Sequence, residues 1–381
     1  MTNTTVLSRR RFTQLLGVGT ACSLIRPSNG LPAASLPLPQ AILTGRTTPA
    51  AVVRLSSNEN PYGPSTAALK AMSDGFSLAW RYPDEYYDTL VELLSKSTGI
   101  PTNQFMLGNG SGEILKVAAM AFTGAGKRIV IADPTFEAIA HHAQNNGAEV
   151  LKVALTGDYG HDLRKMLDAA NGAGLIYICN PNNPTATITP KAAVRDFLNK
   201  VPRTTVVLID EAYFHYVETG SDYESGLLLM KDYSNLIVAR TFSKIYGMAG
   251  LRLGYCVARP EQIKLMRAHQ VWDSINIMAI VAGLASMQND EHAAQSYRQN
   301  IEVKKFVCSQ LDELGYRYIP SHANFMMIDL RRDVKPVIKT MADHGVEVGR
   351  FFPALPNFMR VTIGTKPQME SFVSAFRAVM G

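Results

Sequence analysis

The segment Leu236-Ile237-Val238-Ala239-Arg240-Thr241-Phe242-Ser243-Lys244 decides the fold that this sequence predicts. It begins as a continuous apolar run and ends in two hydroxyl groups and an amine. An uninterrupted apolar run is typical of a strand buried on both faces, as in a parallel sheet, because a half-exposed strand alternates between apolar and polar residues. The segment therefore predicts a buried parallel strand with reactive side chains at its carboxyl end.

Three other segments, at 128–132, 175–179 and 206–209, are similarly apolar. Helix-like patterns precede and separate the runs, for example at 114–122 and 190–199. This alternation of strands and helices predicts an α/β fold, with a mainly parallel sheet in a three-layer α/β/α arrangement.

The C-terminal part of the chain has a different pattern. Long helical patterns at 260–269, 277–287 and 292–314 precede strand-like segments at 324–330 and 360–363. This order predicts a smaller α+β domain, and we place its boundary near residue 268.

The N-terminus carries most of the excess positive charge. The chain has 38 basic and 32 acidic residues, a formal charge of +6. Residues 1–34 hold four arginines and no acid, so 34 basic residues against 32 acidic ones remain, a net charge of +2. A nucleic-acid-binding protein is expected to cluster its charge on the folded domain. The composition therefore argues against that class.

An export signal is predicted in the same segment. Ser8-Arg9-Arg10-Arg11-Phe12 precedes a weakly apolar run at 15–25 and small residues that end near Ala34. This order is typical of a signal peptide, and the paired arginines resemble the twin-arginine type. The apolar run is too short for a stable membrane anchor. The alternatives are a disordered basic tail and a cytoplasmic protein. The predicted division is a signal peptide at 1–34, an N-terminal arm at 35–70, a large domain at 71–267 and a small domain at 268–381.

Neither a disulfide framework nor a metal site is predicted. Beyond the signal, Cys179, Cys256 and Cys308 are well separated in the sequence. His141 and His142 are adjacent, so a helix would not direct both towards one metal ion.

The residues that follow the four apolar runs are the candidates for a functional site. Ligands of open parallel sheets bind beyond the carboxyl ends of the strands. Each motif alone is typical of turns and caps, but together they supply an aromatic ring, amides, an acid with a phenol, and two hydroxyls with an amine. That set suits a flat, charged heteroaromatic ring that carries a phosphate. The motifs are Asp133-Pro134-Thr135-Phe136, Asn180-Pro181-Asn182-Asn183-Pro184-Thr185, Asp210-Glu211-Ala212-Tyr213 and Thr241-Phe242-Ser243-Lys244.

In combination, these motifs resemble the fold-type-I aminotransferases that use pyridoxal 5'-phosphate (PLP). The resemblance rests on Asp210-x-x-Tyr213, on Thr241-x-Ser243-Lys244 and on Arg252, and it extends from about residue 55 to 365. Asn58-Glu59-Asn60-Pro61-Tyr62-Gly63-Pro64-Ser65 and Arg81-Tyr82-Pro83 are similar to the histidinol-phosphate aminotransferase-like branch of the class I/II family. The resemblance implies transfer of an amino group between an amine or amino acid, either histidinol phosphate-like or aromatic, and a 2-oxo acid.

The resemblance also implies a role for each cofactor-binding residue. Lys244 would bind the cofactor covalently and move the proton at the substrate Cα. Asp210 would pair with the pyridinium nitrogen. Tyr213 and Asn183 would bind the phenolic oxygen, and Phe136 would stack on the ring.

The cofactor phosphate has its own predicted set of donors. Thr241, Ser243 and Arg252 would bind it together with the backbone N–H groups of Ser111 and Gly112. Those two residues begin a predicted helix, where free N–H groups and the helix dipole favour an anion.

The substrate and the partner subunit complete the implied site. Arg360 would bind the anionic group of the substrate, and Arg350 would be a second anion-binding arginine. Asn60 is also expected at the substrate. Tyr82 would reach the phosphate of the neighbouring subunit, which implies a homodimer.

The sequence departs from the family pattern at two positions. Ala186 stands where the family has a glycine after Asn-Pro-Thr, and an alanine there is restricted if φ is positive. Gly112 stands where an acid is common in this branch. Neither change removes a group that the chemistry requires.

Three alternatives are open at this point. Gly108-Asn109-Gly110-Ser111-Gly112, with Asp133 after a strand, is similar to a dinucleotide-binding motif, but Glu113 replaces its third glycine. A PLP-dependent decarboxylase would share every cofactor contact, so the sequence does not separate it from a transaminase. A non-catalytic protein on the same fold would not require the intact lysine, aspartate and tyrosine.

Overall fold

The computed structural model describes residues 52–381. The predicted signal peptide and the first part of the predicted arm lie outside these residues. Within the described range, no helix is long and apolar enough to cross a membrane.

A seven-stranded sheet forms the centre of the fold, and a two-residue strand, β1 (Val53–Arg54), precedes it in the chain. The sheet has the strand order β2-β8-β7-β6-β5-β3-β4. Strand β8 is antiparallel to both of its neighbours, and the remaining pairs are parallel. The strands are β2 (Phe105–Asn109), β3 (Arg128–Asp133), β4 (Val150–Ala154), β5 (Ala173–Cys179), β6 (Val206–Asp210), β7 (Leu236–Thr241) and β8 (Leu253–Val257).

Helices cover both faces of this sheet. Alternate residues of each strand enter opposite cores: Val207 and Ile209 pack on one face, and Val206 and Leu208 pack on the other. The Val207 face is covered by α1 (Thr66–Gly75), α2 (Asp84–Thr98), α5 (Leu163–Asp168), α6 (Lys191–Lys200) and α8 (Ile277–Met287); the Val206 face is covered by α3 (Ser111–Phe122), α4 (Ala138–Asn145) and α7 (Pro260–Arg267).

The C-terminal part has a separate apolar core. A three-stranded antiparallel sheet, in the order β12-β10-β9, packs with three helices, and β1 pairs in parallel with β11. Leu55 is buried in this core, which brings the segment after β1 towards the C-terminal sheet. The elements are α9 (Asp290–Glu313), β9 (Arg317–Ile319), β10 (Phe325–Asp329), α10 (Val334–Asp343), β11 (Val346–Glu347), β12 (Phe358–Thr362) and α11 (Lys366–Met380).

The fold class predicted from the sequence is confirmed. The four apolar runs are β3, β5, β6 and β7, each within two residues of its predicted bounds. The described residues form one compact unit, and the predicted domain boundary near residue 268 stays a prediction.

Candidate active site

A cavity of about 340 Å³ lies at the carboxyl ends of the parallel strands. Most of the residues predicted for the site line it, although they come from widely separated parts of the sequence. The predicted residues on its wall are Ser111, Gly112, Phe136, Asn183, Asp210, Tyr213, Thr241, Ser243, Lys244, Arg252, Arg350 and Arg360.

Asp210, the last residue of β6, is a buried carboxylate. Its Oδ2 accepts a hydrogen bond of 2.9 Å from the hydroxyl of Tyr177, and its Oδ1 accepts one of 3.1 Å from the N–H of Ala212. Burial raises the pKa of Asp210 to about 6, against the opposing effect of these two donors. A buried acid with neutral donors is suited to a cationic partner.

Lys244 lies beyond the end of β7 and reaches the N-terminal segment. Its Nζ donates to the carbonyl oxygen of Asn58 at 3.0 Å. Burial, followed by the charge of Arg360, lowers the pKa of Lys244 to about 8. The amine therefore loses its proton closer to neutral pH than an exposed lysine does.

Asn58 joins the Lys244 and Tyr213 sides of the cavity. Its Nδ2 donates to the hydroxyl of Tyr213 at 3.2 Å, and its backbone N–H donates to Thr362 Oγ1 at 2.9 Å. Its backbone is left-handed, with φ of 55°, a conformation that asparagine adopts more readily than most residues. No role was predicted for Asn58. Its place in the motif at 58–65 was the only signal for one.

The hydroxyl groups at the end of β7 lie with Arg252 and the start of α3 in a compact polar cluster that could hold an anion. Thr241 Oγ1 donates to Ser243 Oγ at 2.9 Å, and Arg252 Nη1 donates to the same oxygen at 3.2 Å. Gly110 precedes α3 with φ of 73°, and a Cβ there would lie 2.0 Å from Arg252 Nη2. The glycine therefore allows the guanidinium to approach the helix N-terminus.

Arg360, on β12, is held by neutral acceptors. Its Nη1 donates to Asn183 Oδ1 at 2.9 Å and its Nη2 donates to the carbonyl of Ser56 at 2.7 Å. Its Nε is buried and has no protein partner among the described residues. Burial lowers the pKa of Arg360, and the charge of Arg350 lowers it further. The two guanidinium groups are thus close enough to repel each other.

Arg350 follows β11 and contacts the same aromatic ring as Arg360. The Cζ of Arg350 lies 4.3 Å from the centre of the Phe352 ring, and the Cζ of Arg360 lies 5.2 Å from it. Arg350 Nη2 also donates to Glu137 Oε2 at 2.8 Å. Phe352 and Glu137 were not predicted for the site.

The structure does not bring Asn60 and Tyr82 to this cavity. The side chain of Asn60 is buried and donates to the carbonyl of Ile245 at 2.8 Å and to Ser296 Oγ at 3.1 Å. It supports the segment that follows Lys244 and is not among the residues that line the cavity. Tyr82 is 76% exposed on the surface of the single chain.

A buried ion pair lies immediately behind the site. Glu211 accepts hydrogen bonds of 3.0 and 2.9 Å from Nε and Nη2 of Arg240, and one of 2.6 Å from the N–H of Gly226. Arg240 also stacks on Phe214, with its Cζ 3.6 Å from the ring centre. The pair joins the end of β6, next to Asp210, to β7 one residue before Thr241.

Comparison with known proteins identifies the family. The model of the family described as aminotransferase class I and II matches residues 50–376. This chain belongs to that family. The predictions of a transaminase and of PLP as its cofactor are thereby confirmed, and the dehydrogenase alternative is not favoured.

Two individual proteins show how similar this aminotransferase is to its relatives. The histidinol-phosphate aminotransferase of Moorella thermoacetica is 40% identical over 333 residues, 86% of each chain. A solved structure, the putative histidinol-phosphate aminotransferase of Erwinia carotovora atroseptica, is 31% identical with a TM-score of 0.82, and the match covers 85% of this chain and 95% of that one.

A second solved structure supports the fold. The histidinol-phosphate aminotransferase of Sinorhizobium meliloti, solved in complex with PLP, is 24% identical with a TM-score of 0.81. The match covers 89% of this chain and 93% of that chain.

Proposed function

We propose that this aminotransferase transfers the amino group of histidinol phosphate, or of a closely similar phosphate-bearing amine, to a 2-oxo acid. The observation that carries the proposal is the placement of Arg350 and Arg360 on the wall of the cavity, both against the Phe352 ring. Guanidinium groups bind phosphate through paired, charge-assisted hydrogen bonds. The name of the Moorella relative supports the same substrate.

The donor set of the cavity fits PLP. Asp210 is a buried acid without a cationic hydrogen-bond partner among the described residues, and it suits a protonated ring nitrogen. Thr241, Ser243 and Arg252, beside the first N–H groups of α3, suit a phosphate. Lys244 supplies the amine for covalent attachment, and Phe136 lines the wall.

When bound, PLP supplies an electron sink that stabilises negative charge at the substrate Cα. The side chains of this chain bind, orient and transfer protons around it. The Nζ of Lys244, with its pKa lowered to about 8, would accept the Cα proton of the substrate and deliver it to the C4′ atom of the cofactor. Because the amine is buried, it is shielded from the water that would otherwise stabilise its protonated form.

Arg360 and Asn183 would act together. Because Asn183 Oδ1 accepts from Arg360, its Nδ2 is the atom free to donate towards the cofactor. Arg360 keeps unused N–H donors for the substrate anion and would fix the orientation of Cα. Tyr213, held by Asn58, would donate its phenolic proton into the cavity.

The decarboxylase alternative is not favoured. The L-threonine-O-3-phosphate decarboxylase of Porphyromonas gingivalis has the same fold, with a TM-score of 0.73, but it is only 21% identical and shows the fold alone. The Moorella relative at 40% identity is an aminotransferase.

Alanine substitution of the two arginines tests the substrate. Loss of one bidentate contact should cost about 1.5–3 kcal/mol of substrate binding. Arg350→Ala should therefore reduce kcat/KM for histidinol phosphate far more than for L-phenylalanine, and Arg360→Ala should reduce both. Equal damage to both substrates by Arg350→Ala would indicate a general carboxylate site and an amino-acid transaminase. No effect of either substitution would contradict the proposal.

We also propose a homodimer in which Tyr82 reaches the neighbouring cavity. Trp80, Tyr82 and Trp272 are each at least 75% exposed, and large exposed aromatic groups are typical of interaction surfaces. Light scattering at micromolar concentration should give twice the mass of the chain. Tyr82→Phe should weaken cofactor retention in the dimer, and a monomeric enzyme with full activity would contradict the proposal.

We propose, finally, that the protein is exported in folded form through the twin-arginine route. The support is the segment from Ser8 to Phe12. Replacing Arg9 and Arg10 by lysine should leave the protein in the cytosol with unchanged activity. Fractionation that found the unmutated protein uncleaved in the cytosol would contradict this proposal.

A further inference from the structure

Three arginines line the cavity, and among the described residues only one of them, Arg350, contacts a carboxylate. That carboxylate belongs to Glu137. It follows Phe136, a residue of the cavity wall, and directly precedes α4. Its Oε2 accepts the 2.8 Å hydrogen bond from Arg350 Nη2. The two residues are 213 positions apart in the sequence, so the contact joins the segment after β3 to the segment after β11.

Arg350 and Arg360, the two arginines predicted for the substrate anion, differ in their hydrogen-bond partners. Arg360 is buried and its partners, Asn183 and Ser56, are neutral, so it keeps its full charge towards the cavity. Arg350 and Glu137 are both about half exposed, with 54% and 56% of their side chains accessible. The carboxylate of Glu137 pairs with Arg350 and occupies its Nη2, which is part of its donor edge.

This difference sets the charge that a substrate meets. Of the two arginines predicted to bind the substrate anion, Arg360 has no carboxylate partner among the described residues, and Arg350 is already paired with Glu137. A carboxylate carries a single charge and needs only Arg360. A phosphate monoester carries close to two charges at neutral pH, and it must compete with Glu137 for Arg350 to satisfy both.

We propose that Glu137 is a specificity-determining residue, which acts through Arg350 by competing with the phosphate group of the substrate. It lowers the affinity for phosphate-bearing amines and has little effect on substrates with one carboxylate. The proposal rests on the proposed function in one respect, the placement of the substrate anion at Arg350.

Exposure determines the size of the effect. Ion pairs between exposed side chains are weak, typically below about 1 kcal/mol. Removing the competing carboxylate should therefore improve phosphate binding about three- to five-fold. The same removal should improve the binding of a singly charged anion by less, because the Coulomb energy scales with the charge of the ligand.

The test uses the PLP-loaded enzyme and the isosteric variant Glu137→Gln. The expected result is a KM for histidinol phosphate lowered about three- to five-fold, with kcat changed less than about two-fold, and a KM for L-phenylalanine changed less than about two-fold. Glu149→Gln is the matched control, since Glu149 is also an exposed acid paired with an arginine, Arg128. It should leave both KM values unchanged.

The double variant Glu137→Gln/Arg350→Ala separates competition from a structural role. With Arg350 absent, loss of Glu137 should no longer change the KM for histidinol phosphate. The same shift in KM for both substrates, or a gain that persists without Arg350, would overturn the proposal.

Inhibition by inorganic phosphate keeps the two proposals distinguishable. If the unmutated enzyme does not use histidinol phosphate, the proposed function fails, but competition at Arg350 is still measurable with inorganic phosphate against L-phenylalanine. Glu137→Gln should then lower the inhibition constant of phosphate about three- to five-fold and that of acetate by less. An unchanged constant for phosphate would overturn the role of Glu137.

Discussion

The Nζ of Lys244 donates a 3.0 Å hydrogen bond to the backbone carbonyl of Asn58. The amine therefore depends on the conformation of a residue that is itself left-handed, with φ of 55°. The side chain of Asn58 fixes this conformation through Tyr213 and Thr362. The backbone of Asn58 thus positions Lys244, and its side chain positions Tyr213.

Two substitutions at Asn58 should separate these contributions. Asn58→Gly loses the side-chain hydrogen bonds but tolerates positive φ. Asn58→Ala loses the same hydrogen bonds and is also strained at positive φ. Urea unfolding should show Asn58→Ala less stable than Asn58→Gly by about 1–2 kcal/mol. If the two variants unfold at the same urea concentration, the left-handed backbone carries no strain.

Borohydride reduction should fix the cofactor on Lys244. Lys244→Ala should give a protein without the yellow colour and with nearly all turnover lost, because no other amine lines the cavity in the described residues. Lys304→Met is the control, since Lys304 is also buried and burial also lowers its pKa. Peptide mapping that placed the reduced cofactor on Lys304 would contradict the assignment.

Asp210 should destabilise the cofactor-free protein at neutral pH. Burial raises its pKa from 3.8 to about 6, so the folded chain holds this proton more tightly than the unfolded chain. The stabilisation from the protonated acid is present below about pH 4 and is lost as the pH rises through 6. Asp210→Asn resembles the protonated acid and avoids this loss.

The expected measurement is thermal unfolding of apoprotein at two pH values. Asp210→Asn should be more stable than the unmutated apoprotein at pH 7.5, by about 1–3 kcal/mol, and similar to it at pH 4. The same variant should bind PLP more weakly, because the ring nitrogen loses its acidic partner. A variant that is less stable than the unmutated apoprotein at both pH values would show that burial does not raise the pKa of Asp210.

The buried pair of Glu211 and Arg240 should be costly to break. Arg240→Met leaves Glu211 buried without a cation, which should cost about 3–5 kcal/mol of unfolding free energy. Adding Glu211→Gln should restore part of that loss. The exposed pair Arg298–Glu291 is the control, where Arg298→Met should cost less than about 1 kcal/mol. Equal costs at the two pairs would contradict this account.

The sequence predicted the parallel strands because their apolar runs are uninterrupted. Strand β8 was not predicted, since Leu253–Val257 contains a glycine and directly follows Arg252, which belongs to the site. Strand β4 lies at the sheet edge, where only Val153 of its five residues is buried, and it was also missed. Composition reveals buried central strands far more readily than edge and antiparallel ones.

The site residues at strand ends were predictable because the fold places them at one edge of the sheet. The contacts of Asn58, Glu137 and Phe352 were not, since each depends on packing between distant segments. Ala186 has φ of 60° and is fully buried. Ala186, at the position where a glycine was expected, thus has a left-handed backbone, which a sequence alone does not reveal.

The N-terminal segment has a consequence for the order in which the enzyme is completed during synthesis. Val53 pairs with Val346, and Asn58 bonds to Thr362, a residue 304 positions later. These residues leave the ribosome before any strand of the seven-stranded sheet, yet their partners are among the last to be made. The carbonyl that holds Lys244 is therefore secured only in the finished chain, so a prematurely terminated polypeptide would contain the lysine without its support.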